Sequence, residues 1–236
     1  MENEAIVVTT QNSVRVIRMN RQRKKNAIDV AMYIRITELL NNAATNDDIS
    51  MVVLTGTGDF YSSGNDLTAH ISFEDLEKTL LEFINAFITF PKLLIAIVNG
   101  PAVGIAATTL PFCDFVFASE NAYFYTPFTK LGIVAEAGSS VTFPKIIGVR
   151  KAMEMLVLNK KMSAKEALEC GLVNYVYKGE ELYDKAWNTI DEILDLSMES
   201  ILATKKLIRR INLDELLKTN IIEMKELRRL RLSSKL

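Results

Sequence analysis

Residues 93–107 read Leu93-Leu94-Ile95-Ala96-Ile97-Val98-Asn99-Gly100-Pro101-Ala102-Val103-Gly104-Ile105-Ala106-Ala107, and this stretch decides the fold class. Its first part is an apolar run between Pro91 and Asn99-Gly100, which predicts a fully buried strand. The small residues after Gly104 favour the start of a helix. Because the first N–H groups of a helix lack partners and the dipole makes that end positive, a negatively charged oxygen could bind here. An ordinary buried strand–helix unit is the commoner case, and this stretch alone does not separate the two.

A second stretch of the same kind lies earlier in the chain. Met51–Thr55 also has the pattern of a buried strand, and it leads to the loop Phe60-Tyr61-Ser62-Ser63-Gly64-Asn65-Asp66-Leu67. Small residues let a substrate come close to the backbone. Two strand-to-glycine turns in one α/β chain can therefore direct two backbone N–H groups at the same oxygen.

These two stretches carry a family resemblance. Together with Arg23-Lys24-Lys25-Asn26-Ala27 and Leu131-Gly132-Ile133, in the same order, they resemble the crotonase (enoyl-CoA hydratase/isomerase) family. The resemblance runs from about Ala5 to about Tyr177 and is strongest to the peroxisomal Δ3,Δ2-enoyl-CoA isomerases. Each motif is weak by itself, but the set is specific. It implies an α/β fold of the crotonase type, a spiral of ββα turns with a C-terminal helical region.

The composition limits the classes of function. The chain has 236 residues, 49% of them hydrophobic, and a net charge of −1, so we expect neither nucleic acid nor a membrane as a partner. No apolar run approaches the ~20 residues of a membrane helix. Met1-Glu2-Asn3-Glu4 lacks the features of a secretory signal. Cys113 and Cys170 are expected to be buried free thiols in a reducing compartment.

The side chains available for chemistry are equally restricted. His70 is the single histidine, and a lone histidine beside a loop is more often exposed than catalytic. The sequence contains no Cys/His cluster with metal-ligand spacing, no nucleophile elbow and no nucleotide-binding glycine motif. We therefore expect no metal and no cofactor, apart from the coenzyme A that a substrate would carry. Acid–base work must fall to carboxylates, tyrosines or lysines.

The remaining patterns outline an α/β core followed by helices. Ala5–Thr10 and Val14–Met19 predict a hairpin, and Asp29 is a plausible N-cap for a helix to Asn42. Further predicted elements are a capping box and helix at 72–90, strands at Phe115–Ala118, Tyr123–Tyr125 and Tyr175–Tyr177, helices at Ser139–Ile147 and Arg150–Leu158, and a capping box at Ser163–Glu166 before a helix stop at Gly171. From Leu182 onwards the pattern is helical only. We divide the chain into a core at 1–197, for acyl-CoA binding and catalysis, and C-terminal helices at 198–236 for oligomer contacts.

The resemblance assigns roles to the two turns. The oxyanion hole, which holds the thioester oxygen, would consist of the backbone N–H groups of Asn65 and Ile105. The family often has glycine where Ile105 stands, so the pocket should be narrower here. The substrate would lie against Ser62, Ser63, Gly64, Asn65, Asp66, Leu67 and Gly104. The nucleotide end of coenzyme A would lie against Lys24, Lys25 and Ala27, although a solvated cluster of charges explains these lysines equally well.

The resemblance also separates two reactions. The family's hydratases use a pair of glutamates, and the matching positions here hold Thr108 and Phe128, which argues against hydration. The isomerases place one carboxylate after the Leu-Gly-Ile turn, which is Glu136 in this chain. Its small or apolar neighbours could desolvate the carboxylate and raise its pKa towards neutrality. A glutamate in a segment rich in glycine and alanine is otherwise more often solvent-exposed.

The implied activity is a Δ3,Δ2-enoyl-CoA isomerase of fatty-acid β-oxidation. Another crotonase-type reaction, such as acyl-CoA hydrolysis or decarboxylation, is one alternative, and a non-catalytic acyl-CoA-binding module is another. The family's assembly, with a possible apolar stripe of Leu216, Ile221, Met224 and Leu227, predicts a homotrimer or a hexamer. Packing of this stripe on its own core is the alternative. Ser234-Lys235-Leu236 matches the signal read by the peroxisomal import receptor, so we expect a peroxisomal location.

Overall fold

The computed structural model describes residues 4–68 and 73–233. Their strands are β1 (Ile6–Gln11), β2 (Val14–Met19), β3 (Met51–Gly56), β4 (Leu93–Val98), β5 (Ala102–Val103), β6 (Phe115–Ser119), β7 (Tyr123–Tyr125), β8 (Met162–Ser163) and β9 (Tyr175–Tyr177). Their α-helices are α1 (Val30–Thr45), α2 (Phe73–Ile88), α3 (Ile105–Thr108), α4 (Ser139–Ile147), α5 (Val149–Leu156), α6 (Ala164–Glu169), α7 (Leu182–Leu194), α8 (Met198–Arg209) and α9 (Leu213–Ser233). His70, Ser72 of one predicted capping box, and Ser234–Leu236 lie outside the described residues.

The strands form two sheets. The six-stranded sheet has the order β1-β2-β3-β4-β6-β9, antiparallel between β1 and β2 and parallel elsewhere. The small sheet has the order β5-β7-β8. The predicted hairpin and the two buried strands are confirmed. Because β3 and β4 are adjacent and parallel, with Thr55 opposite Ile97, the two glycine-containing turns leave the same edge of the sheet.

Both faces of the large sheet are covered, which explains why β3 and β4 are buried throughout and apolar except for Thr55. Val52 and Leu54 face the main core with α1 and α2, whereas Met51 and Val53 face a second cluster with α7. All six residues of each of these two strands are buried. Because successive side chains of a strand point to opposite faces, β3 contributes to the cores on both sides of the sheet.

Two predicted helix starts have the expected hydrogen bonds. The Asp29 carboxylate accepts from the Met32 N–H at 2.9 Å, and Ser163 and Glu166 form a reciprocal capping box. Each satisfies N–H groups that a helix leaves unpaired at its start. The thiols are only partly as expected, because Cys113 is buried but Cys170 is only partly buried.

The apolar stripe on the last helix packs mainly on its own chain. Met224 and Leu227 are buried in the main core and Leu216 packs against it, whereas Ile221 is 48% exposed. The stripe therefore gives little reason of its own to expect an oligomer. Helix α8 instead exposes Leu207 and Ile208. Among the described residues, no helix is both long and apolar enough to span a bilayer.

Candidate active site

The two glycine turns lie side by side at the sheet edge. The Ser62 N–H donates to the Pro101 carbonyl at 3.2 Å, and the Val103 N–H donates to the Ser62 carbonyl at 3.0 Å. A side chain at Gly64 would place its Cβ 2.6 Å from the Val103 carbonyl oxygen, closer than real Cβ atoms approach. Gly64 is therefore needed for the two backbones to approach each other.

Each turn presents one backbone N–H group that lacks a partner. Among the described residues, neither the Asn65 N–H nor the Ile105 N–H donates a hydrogen bond. Helix α3, which begins at Ile105, has only four residues. The helix dipole expected at this position is thus small, and the available donors are individual N–H groups. Ile105 is buried and Asn65 is half-buried, and N–H groups away from water normally find an acceptor, so these two are candidates for binding a ligand oxygen.

The basic segment before α1 is bound to the same loop. Asn26 is fully buried, and its side-chain NH2 group donates to the Phe60 carbonyl at 2.7 Å and to the Thr57 carbonyl at 3.0 Å. The Ser63 N–H donates to the Lys25 carbonyl at 2.9 Å. The Lys24 and Lys25 side chains are exposed and Ala27 is buried. The structure thus brings the expected coenzyme A segment against the expected substrate loop.

The remaining loop residues have structural partners. The Ser62 hydroxyl is buried, donates to the Asn26 carbonyl at 2.8 Å and accepts from the Gly64 N–H at 3.1 Å. The Asp66 carboxylate binds Arg21 at 3.0 Å, while Leu67 is exposed. Hydrogen bonds from Thr68, followed by Arg21, lower the pKa of Asp66 to about 2. Asp66 is therefore a poor proton acceptor near neutral pH.

Glu136 is a buried carboxyl group without a hydrogen-bonded partner for its side chain among the described residues. It follows the Leu131-Gly132-Ile133 turn, and only 3% of the residue is exposed. Burial raises the pKa of Glu136 to about 8, and the negative charge of Glu223 adds to the rise, while Arg231 opposes it. The predicted burial of this carboxylate is confirmed. A carboxyl group with this pKa can both take up and return a proton near neutral pH.

Tyr33, on helix α1, holds the side chain of Asn65 in the first turn. Its hydroxyl donates to the side-chain carbonyl oxygen of Asn65. Burial raises the pKa of Tyr33 well above 10, and the charges of Glu136 and Asp29 raise it further. Tyr33, Asn65 and Arg231 also line a cavity of about 120 Å³, which neither Ile105 nor Glu136 lines. Tyr33 thus fixes the Asn65 side chain and lies close enough to Glu136 to be affected by its charge.

The two positions that hold glutamates in hydratases carry no ionisable group. Thr108 is fully buried, and its hydroxyl lies 3.4 Å from the Gly104 carbonyl oxygen. Phe128 is also buried, and its ring lies 4.0 Å from the place that a Gly104 Cβ would occupy. This side of the turn is apolar, and Glu136 lies on a different segment.

A larger cavity, of about 590 Å³, lies between the end of α2 and helix α8. Phe87, Phe112 and Leu216 are among its lining residues. None of the proposed oxyanion donors lines it, and neither does Glu136. The predicted site, which comprises the two turns and Glu136, is therefore distinct from this cavity. Among the described residues, no cluster of His, Cys, Asp or Glu could hold a metal ion.

Sequence reasoning missed three groups at this site: Tyr33, Glu223 and Arg231. Tyr33 follows Met32 in the apolar pattern of α1, so it looks like an ordinary core residue. Glu223 and Arg231 come from α9, about 90 residues after Glu136, and Glu223 is buried at a position that periodicity alone does not single out. Only the path of α9 across the core brings them to the site.

Comparison with known proteins identifies the class. Residues 9–230 match the family model for enoyl-CoA hydratase/isomerase. The chain is 44% identical to mouse (Mus musculus) enoyl-CoA delta isomerase 3, peroxisomal, over 94% of this chain and 72% of the relative. Rat (Rattus norvegicus) enoyl-CoA delta isomerase 2 is 43% identical over 96% of this chain, which spans 60% of that relative's length. The solved structure of OdaA from Pseudomonas aeruginosa superposes with a TM-score of 0.90 at 34% identity, covering 97% of this chain and 94% of OdaA.

The chain therefore belongs to the enoyl-CoA hydratase/isomerase family, and the fold expected from the resemblance is confirmed. Within that family, the two relatives named above are both delta isomerases.

Proposed function

We propose that the chain is a Δ3,Δ2-enoyl-CoA isomerase, which converts 3-enoyl-CoA into 2-trans-enoyl-CoA. The observation that carries the proposal is the buried carboxyl group of Glu136, together with Thr108 and Phe128 at the positions that hold glutamates in hydratases. Hydration needs groups that activate and hold a water molecule. Moving a double bond needs only one group that removes a proton and returns it. The names of the two delta isomerase relatives support the same reaction.

The oxyanion hole would consist of the Asn65 and Ile105 N–H groups, which lack partners among the described residues. The thioester oxygen of the substrate binds between them. When a proton leaves C2, negative charge builds up on this oxygen, so fixed donors stabilise the transition state more than the substrate. Each such donor is typically worth ~10²–10³ in rate. Gly64 and Gly104 let the substrate come close enough to the backbone.

Glu136 would move the proton. Its carboxylate removes a proton from C2 of the 3-enoyl-CoA, and the electron pair of the broken C–H bond forms a dienolate over O, C1, C2, C3 and C4. The same carboxyl group then donates this proton to C4, and the double bond ends between C2 and C3. The reaction gains and loses no protons or electrons overall, so it needs no cofactor other than the coenzyme A of the substrate. A carboxyl group with a pKa of about 8 is a stronger base than an exposed carboxylate, and its protonated form can still donate the proton.

The coenzyme A end would lie along the segment before α1. Lys24 and Lys25 are exposed, and hydrogen bonds from Ser63 hold their backbone against the substrate loop. An exposed ammonium suits a phosphate as a point charge. Lys25 also lies 5.0 Å from the centre of the Phe60 ring. We propose Lys24, Lys25 and Ala27 as the contacts for the nucleotide portion.

One experiment separates this activity from its alternatives. The chain is incubated with 3-enoyl-CoA and, separately, with 2-enoyl-CoA, and all products are followed. We expect 2-enoyl-CoA from the first substrate and no 3-hydroxyacyl-CoA from either. Release of free coenzyme A would indicate a hydrolase, and loss of carbon dioxide from a carboxyacyl-CoA would indicate a decarboxylase. Tight binding without any turnover would indicate a non-catalytic acyl-CoA-binding module.

We further propose a role in fatty-acid β-oxidation inside peroxisomes, as a homotrimer or hexamer. The peroxisomal name of the mouse relative supports the location. The sequence-based expectation is that the import receptor binds Ser234-Lys235-Leu236. Deleting these three residues from a tagged protein should leave it in the cytosol, and unchanged peroxisomal import would contradict this expectation.

A further inference from the structure

We propose that Glu223, on helix α9, is the positioning residue for Glu136. The Glu223 carboxylate is buried and accepts three hydrogen bonds from the segment that directly follows Glu136. They come from the Gly138 N–H at 2.7 Å, the Ser140 N–H at 2.9 Å and the Ser140 hydroxyl at 2.5 Å. One carboxylate from a distant helix thus holds the backbone that determines where the Glu136 side chain lies.

The segment after Glu136 has a backbone conformation that is unfavourable without stabilising contacts. Ala137 and Gly138, immediately after Glu136, both have left-handed conformations, with φ values of 54° and 70°. Such a conformation is strained for alanine and persists only where surrounding contacts fix it. A Cβ at Gly138 would lie 3.3 Å from the Phe112 ring and 3.4 Å from Leu216, so this turn is tightly enclosed. The three hydrogen bonds to Glu223 fix the turn from the remaining side.

Glu223 also sets the charge around Glu136. The groups that affect Glu136 electrostatically are Glu223 and Arg231, both on α9, and Tyr33 on α1. The negative charge of Glu223 opposes ionisation of Glu136, and the positive charge of Arg231 favours it. Glu223 therefore has two separable effects. Its three hydrogen bonds position the backbone after Glu136, and its negative charge raises the proton affinity of Glu136. A purely structural contact would do only the first.

The role of Glu223 rests on the proposed function of Glu136. Three variants separate the effect of position from the effect of charge. Glu223→Gln removes the charge and turns one acceptor oxygen into an NH2 group, which leaves a backbone N–H unpaired. Glu223→Asp keeps the charge but is one methylene shorter, so it cannot reach all three donors. Ser140→Ala keeps the charge and both N–H contacts but loses one donor. Glu226→Gln is the matched control on the same helix, because Glu226 is exposed and pairs with Arg229.

The readouts are kcat, KM and the pH profile of kcat/KM for 3-enoyl-CoA. We expect Glu223→Gln to lower kcat about 10- to 100-fold at a nearly constant KM, since small displacements of a catalytic group are costly. We expect its acid limb to move to lower pH. Glu223→Asp should lose kcat while its acid limb stays in place, and Glu226→Gln should match the unaltered protein.

A folded Glu223→Gln variant with unaltered kcat and an unmoved acid limb would overturn the inference. Should this variant fail to fold, Ser140→Ala decides: a lower kcat at constant KM supports the inference, and an unaltered kcat overturns it. Glu136→Gln is measured in parallel. If Glu136→Gln is inactive but Glu223→Gln is normal, only the inference about Glu223 fails. If Glu136→Gln is fully active, the proposed base itself is wrong.

Discussion

At the scale of single residues, the burial of Glu136 makes the stability of the fold depend on pH. Its pKa rises from 4.5 to about 8, so between these values the folded chain still binds a proton that the unfolded chain has released. The stabilisation is fully present below pH 4.5 and is lost as the pH rises through 8. We predict that Glu136→Gln melts at a higher temperature than the unaltered protein at pH 9, with the difference vanishing near pH 4. Calorimetry across this range would contradict us if the difference were constant.

Gly64 provides a second test at this scale. Alanine at Gly64 would meet the Val103 carbonyl oxygen and would also have to adopt a φ of 83°. Gly132 is the matched control, since its φ is 67° but nothing lies within 4 Å of a Cβ there. We predict that Gly64→Ala lowers kcat about 10-fold or more by displacing the Asn65 N–H, whereas Gly132→Ala costs only stability. Equal kcat values in the two variants would show that the close approach is unimportant.

Local sequence patterns predicted the two turns and the strands that precede them, whereas the roles of Asn65, Ile105 and Glu136 came from the family resemblance and stay predictions. The glycine turns, the small residues around Glu136, and the absence of carboxylates at Thr108 and Phe128 are all local features. Tyr33 and Glu223 could not be found in this way. Each looks ordinary in its own helix and becomes notable only because folding brings it against a segment far away in the chain.

At the scale of secondary-structure elements, helix α8 is held to the core by a partly buried group of charges. Asp114 accepts from Lys205 at 2.7 Å, from Arg209 at 3.1 Å and from the Leu94 N–H at 2.9 Å. The pKa of Lys205 is lowered because burial outweighs the favourable charge of Asp114. An ammonium in this position depends strongly on its partner.

Removing the Asp114 carboxylate should destabilise the fold. We predict that Asp114→Ala lowers the free energy of unfolding by about 3 kcal/mol, because the largely buried ammonium of Lys205 loses its charged partner and keeps only the Lys92 carbonyl. Glu38→Gln, which breaks the exposed ion pair with Arg35, should change it by less than ~1 kcal/mol. Urea denaturation measures both values. Similar small losses in the two variants would show that the Asp114 group does not hold α8.

Long elements with clear signals were predicted well, whereas very short ones were not. The Asp29 and Ser163 caps, the apolar strands and the final helix all follow from local patterns. The two-residue strands β5 and β8 were missed. They are strands only because β7 lies between them, and two residues are too few to show a periodicity.

At the scale of the whole molecule, the exposed face of α8 is the surface that an assembly would cover. Leu207 and Ile208 on α8, and Ile211 just after its end, are all more than half exposed. We predict a solution mass three or six times the 26.5 kDa of one chain. Ile208→Glu should reduce this mass, while Ile34→Glu, an exposed site on α1, should not. Light scattering that finds only single chains at micromolar concentration would contradict the assembly.

The central claim, that Glu136 moves the proton, has one direct measurement: the rate at which Glu136→Gln converts 3-enoyl-CoA into 2-enoyl-CoA. Glutamine keeps the shape of the side chain but cannot take up a proton. We predict that kcat falls by at least ~10²–10⁴, the range typical of general acid–base catalysis, while acyl-CoA affinity changes little. Turnover of 3-enoyl-CoA by Glu136→Gln at nearly the unaltered rate would contradict the claim.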